Sequence, residues 1–312
     1  MTILRSGYGS LSLLAVVVAI FCMITSPAGA QQVFKSPEEA AAALAAAVKS
    51  GVKKDMLKVF GPDGEDIISS GDEVSDAGYR EKFTAAYDAA HAISMEGDKM
   101  AVMILGPHDF PFPVPLVRRK TGWEFDTDAG RQEILYRRIG RNELNAIETC
   151  LAFVDAESEY ADKDRGAGPG VYAQRIVSSE GKRDGLYWPS STGDESPLGE
   201  LAAKASAEGY KVGSGPAPYH GYYYRILTRQ GSHAAGGELD YVVKDKMIGG
   251  FALVAYPAEY GNSGVMTFLV NHVGTVFQKN LGPNTVEIAK RMTSFDPNDS
   301  WKKVDLDALA KK

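Results

Sequence analysis

Cysteine is nearly missing from this chain. Of its two cysteines, Cys22 lies in an N-terminal apolar run expected to be removed, which leaves Cys150 alone. No intrachain disulfide can then form, so stability must come from buried apolar surface. The five histidines are dispersed, and no two have the spacing of a zinc site. No phosphate loop, dinucleotide fingerprint or CxxC motif occurs. An excess of positive charge is also lacking: 34 basic against 40 acidic residues leaves a net charge of −6, which removes nucleic acid from the expected partners. No apolar run reaches the ~20 residues that span a bilayer.

The longest apolar run, residues 11–24, follows Arg5 and precedes Ser26-Pro27-Ala28-Gly29-Ala30, with small residues three and one before the expected cut. That is the pattern of an export signal over residues 1–30, so the mature chain is expected to start at Gln31 in a periplasmic or secreted setting, with no stable membrane span.

Two α+β domains are expected beyond it, residues 31–130 and 131–312. In the first, Ser36-Pro37-Glu38-Glu39 is a helix start: a hydroxyl cap, proline in the first turn and glutamate at the third position. The helix should stop near Lys49, with Gly51 as its C-terminal cap. A second helix is expected over 53–60 and a third over 76–91. The third carries Tyr79, Phe83, Tyr87 and His91 at i, i+4 spacing, an aromatic stripe that is either core or the cradle of a small ligand. Segments 100–105, 114–119 and 123–126 read as strands of a small antiparallel sheet on which these helices pack.

In the second domain, Ile147, Leu151, Val154 and Tyr160 recur at near-helical spacing with charges facing away, which predicts a long helix over 143–160. Five short apolar segments follow at 222–229, 238–243, 248–256, 265–271 and 275–281, parted by loops of hairpin length. They predict an antiparallel meander packed on that helix. In the fourth segment Met266, Phe268 and Val270 alternate with Thr267 and Asn271, the pattern of a strand buried on one face.

Residues 146–152 (AIETCLA) and 249–255 (GGFALVA), with that helix-then-meander order, make the C-terminal half resemble the globular head of type IV pilins and type II secretion pseudopilins. Neither a prepilin cleavage site nor an apolar spine helix precedes it, so filament assembly is not implied. Over most of the chain a second resemblance holds. It is carried by residues 112–118 (FPVPLVR), 123–127 (WEFDT), 137–144 (RRIGRNEL), 181–189 (GKRDGLYWP), 218–223 (PYHGYY) and 256–264 (YPAEYGNSG). On these the sequence resembles the exported bacterial family called domain of unknown function 2950, which implies an envelope address and no particular reaction.

Candidate chemistry is sparse. His220, Asp240 and Ser263 follow the histidine–aspartate–serine order of trypsin-like proteases, with Asp245 as a second carboxylate. A triad needs oxyanion donors and a scaffold larger than some sixty residues of meander, and Gly261-Asn262-Ser263-Gly264 is ordinary turn composition. Asp126 and Asp128, and Asp162 and Asp164, begin like calcium loops, but Arg137 and Ala173 stand where the closing carboxylates belong. Asp162 and Asp164 remain the candidates for a looser calcium site. Arg131, Arg137, Arg138 and Arg141 form a basic stretch at the domain junction, on a helix interrupted by Gly140, where acids such as Glu133 and Glu143 are expected to pair with them. With no recognisable catalytic set, the expected function is a non-catalytic binding or assembly module whose partner is an envelope protein. The alternatives are a serine hydrolase using His220 and Ser263, and a small-ligand carrier using the N-terminal stripe.

Overall fold

The structure is a computed structural model that describes residues 30–189, 195–213 and 217–309. The expected export signal, apart from Ala30, lies outside them. Among the described residues no helix is long and apolar enough to cross a membrane.

The first helix, α1 (Pro37–Ser50), begins where its capping signals put it. The Ser36 hydroxyl accepts from the Glu39 N–H at 3.2 Å, and Gly51 closes the far end at φ 66°. Its alanine face is buried beside α2 (Lys53–Phe60), which contributes Met56, Val59 and Phe60 to the same core. After a single turn, α3 (Glu65–Ile68), the Asp72 carboxylate caps α4 (Glu73–Ala89). This helix starts a turn earlier than the apolar periodicity indicates and stops before His91. That histidine opens β1 (His91–Met95), which pairs antiparallel with β2 (Met100–Leu105). The brief β3 (Phe110–Pro111) also pairs with β2, and β4 (Leu116–Arg118) and β5 (Trp123–Phe125) complete the sheet in the order β1-β2-β4-β5. In β2 the inward residues Ala101, Met103 and Leu105 alternate with half-buried ones, the period-two pattern of a covered face.

A single helix, α5 (Thr127–Asp162), then runs 36 residues, about 54 Å, through Gly140 without a break. A mid-helix glycine costs only about 1 kcal/mol against alanine, and here Arg138 and Asn142 on either side are both pinned by hydrogen bonds. The helix serves two cores. Its first half packs Ile134 on the α1–α2 core, and its second half buries Ile147, Cys150, Phe153 and Tyr160 in another.

The second core surrounds a five-stranded antiparallel sheet. Its members are β6 (Tyr222–Leu227), β11 (Ala252–Pro257), β12 (Met266–Asn271), β13 (Phe277–Asn280) and β14 (Lys302–Lys303). Meander order is kept, but the expected second segment leaves the sheet. Residues 229–247 form two small ribbons: β7 (Arg229–Gln230) pairs with β8 (Leu239–Asp240), and β9 (Val242–Val243) with β10 (Lys246–Met247). The fifth place is taken by the chain's last strand instead. The reason lies in burial: over residues 238–247 Leu239 and Val243 are exposed and only Tyr241 and Met247 are buried, so this stretch offers no continuous apolar row for the sheet interior.

Strand β12 also departs from expectation, because Thr267 and Asn271 are buried along with Phe268 and Val270. The second face of the sheet is covered by α7 (Thr285–Arg291). The Arg225 guanidinium on that face donates to the carbonyls of Ala289 and Met292 at the helix end, each at 2.6 Å. One more helix, α6 (Gly199–Ala207), was not anticipated from sequence.

Candidate functional site

A cavity of about 300 Å³ lies where α6, the second half of α5 and the outer edge of β6 meet. Ala202 and Ala205 of α6 and Phe153 of α5 form its apolar floor. Tyr187, Tyr210, Tyr219 and Tyr224 bring aromatic faces with hydroxyls at their tips. Among the described residues that line it, none is aspartate, glutamate, histidine, serine or cysteine. Lys211, exposed, is the sole cation among those described residues.

The wall formed by residues 210–213 and 217–219 is fastened to the first core. Asp72, itself buried, accepts from the Ser75 N–H at 3.0 Å while its other oxygen accepts from the Tyr210 hydroxyl at 2.8 Å and the Gly221 N–H at 2.9 Å. Gly221 has φ 75°, and a Cβ there would lie 2.6 Å from Asn142 Nδ2, so the approach admits glycine only. Tyr219 and Tyr222 exchange both backbone hydrogen bonds around a His220–Gly221 turn with positive φ at both positions. Burial raises the Tyr210 and Tyr219 hydroxyls, the latter to about 12, so neither ionises near neutrality.

Below the cavity the junction is held by a second set of bonds. Arg138, buried, donates from Nη2 to the Ile67 carbonyl at 2.9 Å and from Nη1 to the Asp66 carbonyl at 2.6 Å and to Asn262 Oδ1. Asn262 returns a bond to the Ser69 carbonyl at 3.0 Å, and Asn142 donates to the Ser263 carbonyl at 2.9 Å. Glu143 Oε1 accepts from the N–H groups of Val265 and Met266 at 3.0 and 2.9 Å. Segments 137–144, 218–223 and 256–264, distant in sequence, therefore meet at one place.

The hydrolase candidates do not form a catalytic array. The Ser263 hydroxyl is fully buried, accepting from the Glu259 N–H at 2.9 Å and donating to the Glu259 carbonyl at 3.2 Å, the bonds of a closed turn. His220 Nε2 faces Glu208 at 3.1 Å instead, and burial holds the imidazole below its ordinary value against the opposing pull of that carboxylate. Asp240 is exposed on its ribbon beside Arg229 at 3.3 Å, and the Asp245 carbonyl accepts from Gln174. A nucleophile, its base and an orienting carboxylate are thus three separate local structures.

In the calcium candidate, Asp162 ends α5 in solvent and Asp164 Oδ1 accepts from the Gly168 and Gly166 N–H groups, each at 2.8 Å. These bonds hold its carboxyl below the usual range. No group of three or more potential metal-ligating side chains occurs among the described residues. Asp126 caps α5 and Asp128 pairs with Arg131.

The aromatic stripe is split. Tyr79 and Phe83 line a smaller cavity of about 180 Å³ with Asp76 and Arg138, whereas Tyr87 stacks on the exposed His91 ring at 3.8 Å. The basic stretch divides as well: Arg131 pairs with Asp66 at 2.9 Å, Arg137 with Glu133 at 2.6 Å, and Arg141 lies over the Tyr79 ring at 4.5 Å. Cys150 is buried, and that burial pushes its thiol up to about 12.

Sequence reasoning missed Asp72, Tyr210 and the whole of α6. The helix-start aspartate before Glu73 was the one local signal that could have pointed to Asp72.

The family model described as "Protein of unknown function (DUF2950)" matches residues 31–304. No curated protein and no solved structure matches the chain, so the comparison with pilin heads stays one of element order.

Proposed function

The chain belongs to that DUF2950 family of proteins of unknown function, and from this premise we propose that it is an exported, non-catalytic binding protein of the cell envelope. Its site is the cavity between α6, α5 and the edge of β6, and its guest is an apolar molecule with few polar groups. The observation that carries the reading is the composition of the cavity. About 300 Å³ of partly open space, at the lower end of ligand pockets, is lined by tyrosines and aliphatic side chains. The described lining offers no carboxylate, imidazole or thiol, the groups on which acid–base and nucleophilic catalysis most often draw. Tyrosine suits such a site because it supplies flat apolar area and a hydrogen-bonding tip at low entropic cost.

Titration with the apolar fluorophore N-phenyl-1-naphthylamine tests it. Saturable fluorescence enhancement is expected, weakened at least tenfold in Ala205→Trp, whose indole fills the floor while the far-ultraviolet spectrum stays native. Absence of saturable binding by the wild-type chain would sink the reading. Export is tested separately by sequencing the N-terminus of protein made in a secreting bacterial host, where Gln31 is the expected first residue.

A further inference from the structure

Each sheet ends in strands whose outer backbone groups could recruit another chain, and proteins blunt such edges by covering them, by charge, by proline or by keeping them short. At the path ends of the two five-stranded sheets, the β5, β14 and β6 edges are blunted. The β5 edge is covered by the N-terminal arm, since Phe34 and Trp123 exchange both backbone bonds at 2.8 Å. The β14 edge is two lysines long. The β6 edge turns back on itself through the His220–Gly221 hairpin turn, preceded by Pro218.

Strand β1, with the sequence His91-Ala92-Ile93-Ser94-Met95, has none of these devices: five residues, uncharged, without proline. Its parity follows from two flanking bonds. Glu96 N–H donates to the Met100 carbonyl at 2.8 Å and Gly106 N–H to the Ala90 carbonyl at 2.8 Å, so even-numbered residues bond to β2. Backbone groups alternate sides along an antiparallel strand, so the N–H and C=O groups of His91, Ile93 and Met95 face outward. Among the described residues nothing bonds to them. The edge is also solvent-exposed, with Met95 at 51%.

We propose that β1 is a self-association surface, pairing antiparallel with β1 of a second copy about a two-fold axis through Ile93. Self-pairing is argued by the register. Centring on Ile93 sets His91 against the partner's Met95 and Ile93 against the partner's Ile93, so all three outward residues on each strand meet outward residues. No charged side chain meets its like, because the flanking Glu96 then lies opposite the partner's Ala90. A strand pair this short is a small interface, so association is concentration-dependent rather than obligate. The surface lies in the first core and is independent of the cavity in the second.

Light scattering of the whole mature chain over a dilution series, with amide hydrogen exchange, tests it. The mass should rise toward twice the monomer value on concentration. Exchange at His91, Ile93 and Met95 should slow at least tenfold, with Ala92 and Ser94 unchanged. Ile93→Pro removes an outward N–H and spares the inward ladder, and it should weaken association at least tenfold. If that variant misfolds, Met95→Lys, which charges an exposed edge position, decides the matter with the same expected loss. A chain that stays monomeric throughout overturns the proposal. So does a dimer that leaves those three amides unprotected, or protection already complete in the dilute monomer, which would mean that another part of the chain covers the edge.

Discussion

Replacing Arg138 by methionine should uncouple the two cores. The methionine keeps most of the unbranched stem and removes every donor. Nη1 has two hydrogens, which the Asp66 carbonyl at 2.6 Å and Asn262 Oδ1 occupy, so the Ser69 carbonyl at 3.4 Å is a marginal third acceptor. Nη2 serves the Ile67 carbonyl at 2.9 Å. Three substantial charge-assisted bonds at about 1.5–3 kcal/mol each would set an upper bound near 4.5–9 kcal/mol. Returning the guanidinium to water recovers part of that, while the Asp66 and Ile67 carbonyls and Asn262 Oδ1 are left unpaired at about 1–3 kcal/mol each, which puts the loss toward the lower end of the range. The expected loss is therefore about 3–5 kcal/mol. In urea, monitored by hydrogen exchange in each core, the single transition should broaden or split, with α3 and α4 opening first. Arg138→Lys, which keeps a charge but not the forked geometry, should lose roughly half as much. A loss below about 1 kcal/mol in the methionine variant, with one sharp transition, would refute the clasp.

The remaining expectations concern single side chains. Ser263→Ala should cost about 1–2 kcal/mol through its two turn bonds, and a fluorophosphonate probe should leave the wild-type chain unlabelled; labelling at Ser263 would contradict the turn assignment. Native Cys150, with its thiol pushed up to about 12, should resist Ellman's reagent until urea unfolds the chain, and rapid stoichiometric reaction of native protein would contradict its burial. Glu157 is fully buried, and burial raises its carboxyl well above 4.5 despite the Ala173 N–H that it accepts at 2.8 Å. Folded protein then keeps a proton that unfolded protein releases, so its contribution to stability is present below about pH 4.5 and is lost as pH rises through the folded value. Glu157→Gln has no proton to lose, so its stability relative to wild type should grow as pH rises above about 4.5; parallel pH profiles would refute this.

Much of the first domain was readable because its signals are local. Ser36, Pro37, Glu39 and Gly51 act within a turn of the helix that they bound, and α1 begins and ends with them. His91 was misassigned for the same reason: its i, i+4 relation to Tyr87 is real, and the rings do stack, but the backbone has already turned into a strand. The Gly-Asn-Ser-Gly turn read correctly as a turn. Its partner did not, since Asn262 reaches residues nearly two hundred positions away in the chain.

Capping, turn chemistry and hydrophobic period thus placed α1, α2, α4, the second half of α5 and the main strands β2, β4, β5, β6, β11, β12 and β13 from the sequence alone, along with the α+β class and the antiparallel sense of both large sheets. Tertiary structure decided what depends on distant neighbours. It carried α5 through Gly140 because both flanking residues are anchored, and it moved segment 238–243 out of the sheet because only part of that segment has somewhere to be buried. It laid α7 against β11 on the second face of the larger sheet, and it opened a cavity where three separate stretches fail to close. Local energies of a few tenths of a kcal/mol set what a segment prefers. Burial and hydrogen bonding across the chain, worth several times more, choose its neighbours and, among the described residues, leave the edge of β1 unpaired.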